Sequence, residues 1–392
     1  MLEPEIDGAS SLSLEGICAQ KRQQAQQLLG AGELWLIAAR ETGVRPEPAL
    51  QLILPCDFTW DAFVILTGTA AIAIVGRYDA PGLPAGWEVI SYDEDPGDAL
   101  RSVLRSLNPR RVLIDSSPDH PLMDGLSHGL YLKLQSLLPG ITFNSAEQLL
   151  GRLRSLKTPQ EQRLLARAVR RAEEDLTWVA EILQPGMSER EATSLLQDRL
   201  RADSLEPAWG WQGCPGFSFG RQPSHAGSGD RILEEGQLVH VDYGVRMGGY
   251  CSDLQRVWLC AGEPDLGLNA AFAAVRQAID AAAAALRPGA RGYQVDAAAR
   301  AIITSAGYPE YLYATGHNLG RATHDGGPLL GPRWARYGRS PEGSVEAGQV
   351  YAIELGVMVE GAGYLGLEED VLVSDSGSVW LSEREEALWK LP

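Results

Sequence analysis

Asp242 and Asp253, eleven residues apart in VHVDYGVRMGGYCSDLQR (239–256), are the pair best placed to do chemistry. The stretch alternates apolar and polar residues, turns near Gly248-Gly249 and alternates again, which predicts a β-hairpin. With Met247-Gly248 as a two-residue loop, Arg246 faces Gly249 and Asp242 falls directly opposite Asp253. Cross-strand partners hold their Cβ atoms roughly 4.5–5.5 Å apart, where like charges repel. Two carboxylates so placed need a cation between them, or one must hold a proton. A metal ion is the expectation. A second stretch repeats the device: with arms at 350–359 and 364–373 and a loop centred on Gly361, Glu354 falls opposite Glu368. Between the two hairpins lie His317 and, seven residues on, His324. One imidazole with four carboxylates is a hard, oxygen-rich set, suited to Mn²⁺, Co²⁺ or Mg²⁺ rather than to a structural zinc. Four carboxylates exceed the charge of one divalent ion, so two ions are expected, in the arrangement about 3.5–4 Å apart that hydrolytic centres use.

The elements that must position these residues are also legible. Thr158, Pro159 and Glu161 set an N-cap, a first-turn proline and a capping-box glutamate in order, opening a helix to about 183. Pro185-Gly186 breaks it, and Ser188 with Glu191 caps a second helix to about 203. The pattern recurs: helices over 270–286 and 293–305 flank Pro288-Gly289. Helix, Pro-Gly break, helix and carboxylate-bearing hairpin thus occur twice, and two such halves packed face to face would gather four carboxylates. Ahead of them, strands near 35–39, 62–66, 70–75, 87–92 and 112–115 alternate with helices near 14–29, 98–107 and 130–138, the signature of an α/β domain. His120 and His128 there have no acidic or cysteine partner at ligand spacing and carry no site. A chain of 392 residues is too long for one ordinary core, and the division expected is 1–154 and 155–392.

Bulk properties remove several classes of function. A formal net charge of −17 argues against a nucleic-acid or anionic-membrane partner. The one basic run, 167–171, is offset by Glu173, Glu174 and Asp175. Five cysteines, an odd number without a CxxC, fit reduced thiols in a cytoplasm. Cys251 shares a strand face with Asp253 but is read as core packing. The acidic N-terminus lacks the form of a signal peptide, and the most apolar run, 62–76, is too short to span a bilayer.

HVDYG, CSDLQR, TGHNLG, AIELG and GLEEDVLVS, in that order, resemble the ligand motifs of the pita-bread metallopeptidases, the family of aminopeptidase P, Xaa-Pro dipeptidase (prolidase) and methionine aminopeptidase. The motifs span about 153–382, and the preceding domain with its junction LRSLKTPQEQRLLARA resembles the Xaa-Pro-cleaving, creatinase-like branch. The resemblance implies a creatinase/prolidase-like α/β N-terminal domain and an α+β pita-bread catalytic domain with an internal pseudo-two-fold repeat. It implies that Asp242, Asp253, His317, Glu354 and Glu368 hold two divalent metal ions, Mn²⁺ first, with Co²⁺ or Zn²⁺ as alternatives. Asp253 and Glu368 would bridge them, around a hydroxide, and Glu354 would also shuttle a proton. His225 and His324 would hydrogen-bond the scissile carbonyl or the tetrahedral intermediate; His240, on the same strand face as Asp242, would have no catalytic role and would pack or support the ligands from behind. The implied substrates are short proline-containing peptides, the implied activity Xaa-Pro dipeptidase with aminopeptidase P as the alternative, and the implied assembly a homodimer. A catalytically silent binding protein on the same fold is the other class, and the complete ligand set counts against it. Two departures touch the pocket. Tyr313 stands where many relatives carry a His, and Gly366 where many carry an Arg. Tyr313 is therefore a candidate substrate-binding residue, and Arg321, Arg333 and Arg336 are candidates to replace the missing cation.

Overall fold

In the computed structural model, which describes residues 13–221 and 227–391, the apolar runs of the first part of the chain form one mixed sheet. The chain divides into two units, Met1–Leu153 and Arg154–Pro392. In the first, strands β1 (Glu33–Ala39), β2 (Ala62–Leu66), β3 (Ala71–Gly76), β4 (Glu88–Tyr92), β5 (Arg111–Ile114) and β6 (Phe143–Ser145) lie in the order β4-β3-β2-β1-β5-β6. Helices α1 (Leu14–Leu28), α2 (Leu50–Ile53) and α5 (Glu147–Ser155) cover one face, where Trp35, Ile37 and Val64 are buried. Helices α3 (Gly97–Leu107) and α4 (His128–Leu137) cover the other, with Leu34, Leu36, Phe63 and Ile65. Burial on both faces is why β1 and β2 read as unbroken apolar runs and not as alternating ones. The short elements α2, α5 and β6 carry too little periodicity to be read from sequence.

The second unit is built on the expected repeat. Its helices are α6 (Pro159–Ala180), α7 (Glu189–Ala202), α8 (Leu266–Ala285) and α9 (Gly292–Ser305). Its strands are β7 (Glu206–Pro207), β8 (Gly216–Phe219), β9 (Leu238–Tyr243), β10 (Val245–Met247), β11 (Tyr250–Cys251), β12 (Leu254–Leu259), β13 (Gly316–Asn318), β14 (Val350–Val359), β15 (Gly363–Ser374), β16 (Gly377–Trp380) and β17 (Trp389–Lys390). The main sheet runs β13-β14-β15-β12-β9-β8, with β16 added on β15 and β17 on β12. Both capping boxes form, at Thr158/Glu161 and Ser188/Glu191.

The duplication extends to individual backbone hydrogen bonds. After the first break, Gly186 N–H donates to Leu233 O (2.9 Å) and Leu233 N–H to Met187 O (2.8 Å). After the second, Gly289 N–H donates to Val345 O (2.9 Å) and Val345 N–H to Ala290 O (2.8 Å). Gly186 and Gly289 have φ of +96° and +87°, which a side chain would strain. In each half the sheet buries one face against its own helices. Val239, Val241 and Tyr243 pack on α6 and α7, and Ile353, Leu355 and Val357 on α8 and α9. Strand alternation then turns Asp242 and Glu354 to the opposite face.

One buried carboxylate ties the first helix pair to the strand that carries Asp242. Asp175 on α6 has no exposed side-chain surface; it accepts from Arg171 Nε (3.0 Å), from Arg199 Nε on α7, and from the Tyr243 hydroxyl (2.7 Å). Removing one partner of such a cluster leaves the rest buried and uncompensated. Asp175→Ala should cost about 3–5 kcal/mol of unfolding free energy in denaturant titration, against a small cost for the exposed Asp198→Ala on α7.

Candidate metal centre

The register of the first hairpin differs from the expected one by two residues. Tyr243 pairs with Leu254 and Asp242 with Gln255, while Arg246 pairs with Cys251 and Met247 with Tyr250. The loop is therefore Gly248-Gly249, not Met247-Gly248, and Asp242 does not face Asp253 directly. The reason is local: both loop residues have positive φ, +57° and +84°, which the preferred two-residue hairpin turn requires and two glycines supply. A slip of two residues keeps every side chain on its face. Asp253 is thus a diagonal neighbour of Asp242, still within reach. The second hairpin has the expected register, with Glu354 opposite Glu368. Gln255 also pairs with Glu368 across β12 and β15. Asp242, Gln255, Glu368 and Glu354 therefore form one row across four adjacent strands.

His317, on β13 opposite Ala352, meets this row. Its Nε2 lies 3.6 Å from Glu368 Oε1, 3.7 Å from Asp253 Oδ2 and 3.9 Å from Glu354 Oε1, too far for hydrogen bonds. Its Nδ1 is 2.9 Å from the carbonyl oxygen of Thr323. A carbonyl only accepts, so Nδ1 carries the hydrogen and the Nε2 lone pair points at the carboxylates. Burial lowers the imidazole's proton affinity, which keeps that lone pair free. The carboxyl groups are pushed the other way. Burial, with the Glu368 charge next, raises Asp253 well above the usual carboxylate range, and burial with Glu368 and Glu354 does the same to Asp242. Burial takes Glu354 to about 7, with the Glu368 charge adding to it, and takes Glu368 to about 8. A cation fits this set: the donor atoms of Asp253, His317 and Glu368 lie within 4.8 Å of one another, and Asp242 Oδ1 is buried without a hydrogen-bond donor.

Several supporting residues have no signal in sequence before the register is known. Gln255 donates from Nε2 to Glu354 Oε2 (2.7 Å), and its Oε1 is 2.9 Å from His240 Nε2. His240, expected to pack or to support the ligands from behind, is linked to the carboxylate row through that amide. Asp370 Oδ2 accepts from the Asp253 backbone N–H (3.1 Å). Of the adjacent acids on β15, Glu368 turns to His317, whereas Glu369 turns to Arg256 (3.1 Å) and the Ser382 hydroxyl (2.6 Å). The loop after His317 is held by Asp325, buried between Arg154 (2.6 Å) and Lys157 (3.4 Å). Cys251 is buried among backbone carbonyls, its Sγ 3.5 Å from Ala208 O.

The remaining expected residues are placed as follows. The His324 ring stands edge-on to His317, centroids 4.4 Å apart, and is exposed. His225 lies outside the described residues. Tyr313 is half exposed and packs edge-on against Tyr311 at 5.5 Å. The space at Gly366 is filled by Tyr364, whose Cε1 would lie 2.4 Å from a Cβ there. The three candidate arginines are engaged elsewhere: Arg321 over Tyr250, Arg333 over Tyr293, and Arg336 over Trp334 and Tyr337.

Residues 163–375 match the family described as "Metallopeptidase family M24". The "Probable dipeptidase PepE" of Mycobacterium tuberculosis is 30% identical over 292 residues, 73% of this chain and 71% of that protein. The "Xaa-Pro dipeptidase" of Pyrococcus furiosus is 26% identical over 248 residues, 63% of this chain and 68% of that protein. Among solved structures, an "Xaa-Pro dipeptidase from Bacillus anthracis" superposes with a TM-score of 0.76 at 21% identity, covering 95% of this chain and all of that one. Together these show a divalent-metal peptidase fold with an α/β domain ahead of it.

Two predictions follow from the site's charge and shape. The buried carboxyl groups bind protons more tightly folded than unfolded, so the stability they lend the metal-free protein is complete below about pH 4 and is lost as pH rises through about 7 to 8. A metal must displace those protons. Mn²⁺ affinity should therefore climb steeply between about pH 6 and 8 with proton release, readable by calorimetry in buffers of differing ionisation enthalpy; a flat profile would contradict the site. Separately, Gly366→Arg should lower stability by about 1–3 kcal/mol through overpacking against Tyr364, and adding Tyr364→Ala should recover most of it in thermal melts.

Proposed function

Because the chain belongs to metallopeptidase family M24, we propose that it hydrolyses the peptide bond before proline in short peptides, with Xaa-Pro dipeptides as the first substrates. The observation that carries the reading is the row Asp242–Gln255–Glu368–Glu354 with Asp253 and His317 against it, in which the donor atoms of Asp253, His317 and Glu368 lie within 4.8 Å of one another. Asp242, Asp253, His317, Glu354 and Glu368 would hold two divalent ions, Mn²⁺ first, with Co²⁺ or Zn²⁺ as alternatives. When bound, such ions polarise a carbonyl and make water acidic enough to supply the nucleophile at neutral pH.

The chain's own groups do the rest. Glu354, whose Oε1 lies on the His317 side of the row, would take a proton from the attacking water and return it to the leaving nitrogen. That return matters for proline, whose tertiary amide nitrogen has no hydrogen of its own. His324, edge-on to His317, would hydrogen-bond the carbonyl oxygen as charge develops on it, and His225 would share that task. Tyr313, exposed beside Tyr311, would border the substrate. The five cysteines, an odd number without a CxxC, suit work in a reducing cytoplasm, and a homodimer is the assembly assigned. A second reading, aminopeptidase P action on longer peptides, is favoured by one feature. Tyr364 closes the wall at Gly366 with a neutral phenol, leaving no cation there for a dipeptide's carboxylate.

The test is to strip the metal, restore Mn²⁺, Co²⁺ or Zn²⁺ separately, and compare Leu-Pro with Leu-Pro-Pro peptides. Metal-dependent cleavage of Leu-Pro is expected; cleavage without metal refutes the mechanism, and action only on the longer peptides replaces the first reading by the second. Asp253→Asn should lose both tight Mn²⁺ binding and turnover, the latter by about 10³-fold or more, and His324→Ala should lose about 10²-fold in kcat.

A further inference from the structure

Gln255 occupies the place where the internal repeat puts a mate for Glu368. Asp242 lies nine residues after Leu233, and Glu354 nine residues after Val345, the two residues that make equivalent backbone bonds behind the Pro-Gly breaks. The repeat therefore matches Asp242 with Glu354. Their cross-strand partners are Gln255 and Glu368, and these two also face each other at the seam between the halves. One half carries a carboxylate at this place and the other an amide. Asp253, the remaining acid of the first hairpin, sits one pleat away and has no mate.

The amide is fixed at both ends. Gln255 is 7% exposed, and its Nε2 donates to Glu354 Oε2 at 2.7 Å. A carboxylate only accepts, so the NH₂ end faces Glu354, the Oε1 end faces His240 at 2.9 Å, and His240 donates from Nε2. The His240 ring is in turn held edge-on by Tyr364, centroids 5.1 Å apart. Gly366 makes room for the link, since a Cβ there would come within 3.1 Å of both Gln255 Oε1 and His240 Nε2.

We propose that Gln255 is a positioning residue of the metal centre. Its amide, oriented by His240, occupies Glu354 Oε2 and leaves Oε1, the oxygen 3.9 Å from His317 Nε2, as the one that serves the ions and the proton. A carboxylate at this position would add a fifth negative charge to a set whose four carboxylates two divalent ions would balance; the amide fills the row without it and supplies a donor instead. The inference rests on the reading of Glu354 as ligand and proton carrier.

The experiment uses Gln255→Met, which keeps length and removes the donor, and His240→Phe, which keeps the ring against Tyr364 and removes its N–H. Metal-stripped proteins are titrated with Mn²⁺ by calorimetry, and the Mn²⁺-loaded proteins are assayed on the peptide the wild type cleaves best. Q255M should weaken one of two Mn²⁺ equivalents about 10-fold and lower kcat about 10–100-fold, with KM within about 3-fold. H240F should give a smaller loss of the same kind, and the double variant should match Q255M, because His240 acts only through Gln255. Wild-type Mn²⁺ affinity and kcat in Q255M, or losses that multiply in the double variant, overturn the proposal. Should Q255M fail to fold, H240F decides alone: unchanged Mn²⁺ affinity and kcat overturn it. The titration needs no substrate. If the wild type binds Mn²⁺ yet cleaves no proline peptide, the substrate reading falls while the comparison of Mn²⁺ affinities still decides the role of Gln255.

Discussion

Four carboxyl groups are turned to one face of a sheet, Asp253 and Glu368 buried and Asp242 and Glu354 partly so, and the second unit has to hold them there. A buried carboxylate without a counter-charge is costly enough that it either takes up a proton or finds a cation. The high proton affinities of Asp242, Asp253, Glu354 and Glu368 express that cost in the metal-free protein. A fold tolerates such a cluster only if its framework holds without help from it. Here the framework is two helix pairs packed on the far face of the sheet, each locked by the same Pro-Gly break and the same backbone bonds to the strand entry.

The protein's own cations are placed behind the row. Arg256, on the face opposite Gln255, donates to the Glu368 carbonyl at 2.9 Å and pairs with Glu369. Arg154 and Lys157 pair with Asp325, and Arg171 and Arg199 with Asp175. Each of these cations is engaged by an acid outside the row. The candidate ligands are thus oriented by neighbours whose cations are held elsewhere, and their own negative charge stays available to an ion. This arrangement also gives roles to the acids flanking the motifs. Glu369 and Asp325 shape the site without facing it, and Asp370 aligns the Asp253 backbone.

Much of this was legible in the sequence because it rests on local rules. The capping boxes at Thr158 and Ser188, the Pro-Gly breaks and the second hairpin follow from residue types at fixed offsets. The first unit's sheet was legible as apolar runs, although its edge strand at 143–145 was too short to stand out. The first hairpin's register was misplaced by two residues, because either of two adjacent dipeptides could form the loop and only positive φ at both positions distinguishes them. That slip preserved the face and so the site, but it hid Gln255, which pairs with Asp242 only in the true register. His240 was obscure for the same reason. Its partner is fifteen residues away in sequence and adjacent only across the hairpin.

The duplication explains how such a row can arise and why it cannot remain symmetric. Two identical halves would present identical donor sets, so a symmetric centre has no preferred side for substrate. Here the halves differ at three points: an amide stands for a carboxylate at Gln255, Asp253 is displaced by one pleat, and His317 and His324 occur in the second half only. These changes place the imidazoles beside Glu354 and Glu368, while the Asp242 end of the row is bordered by an amide and a buried histidine. The His317 imidazole and the partly exposed Glu354 carboxyl therefore stand toward the same end of the row, and the two ends are chemically distinct. Tyr364 fills the slot at Gly356 and Gly366 beside Glu354 and Glu368, so that end of the row is also closed by a phenol ring.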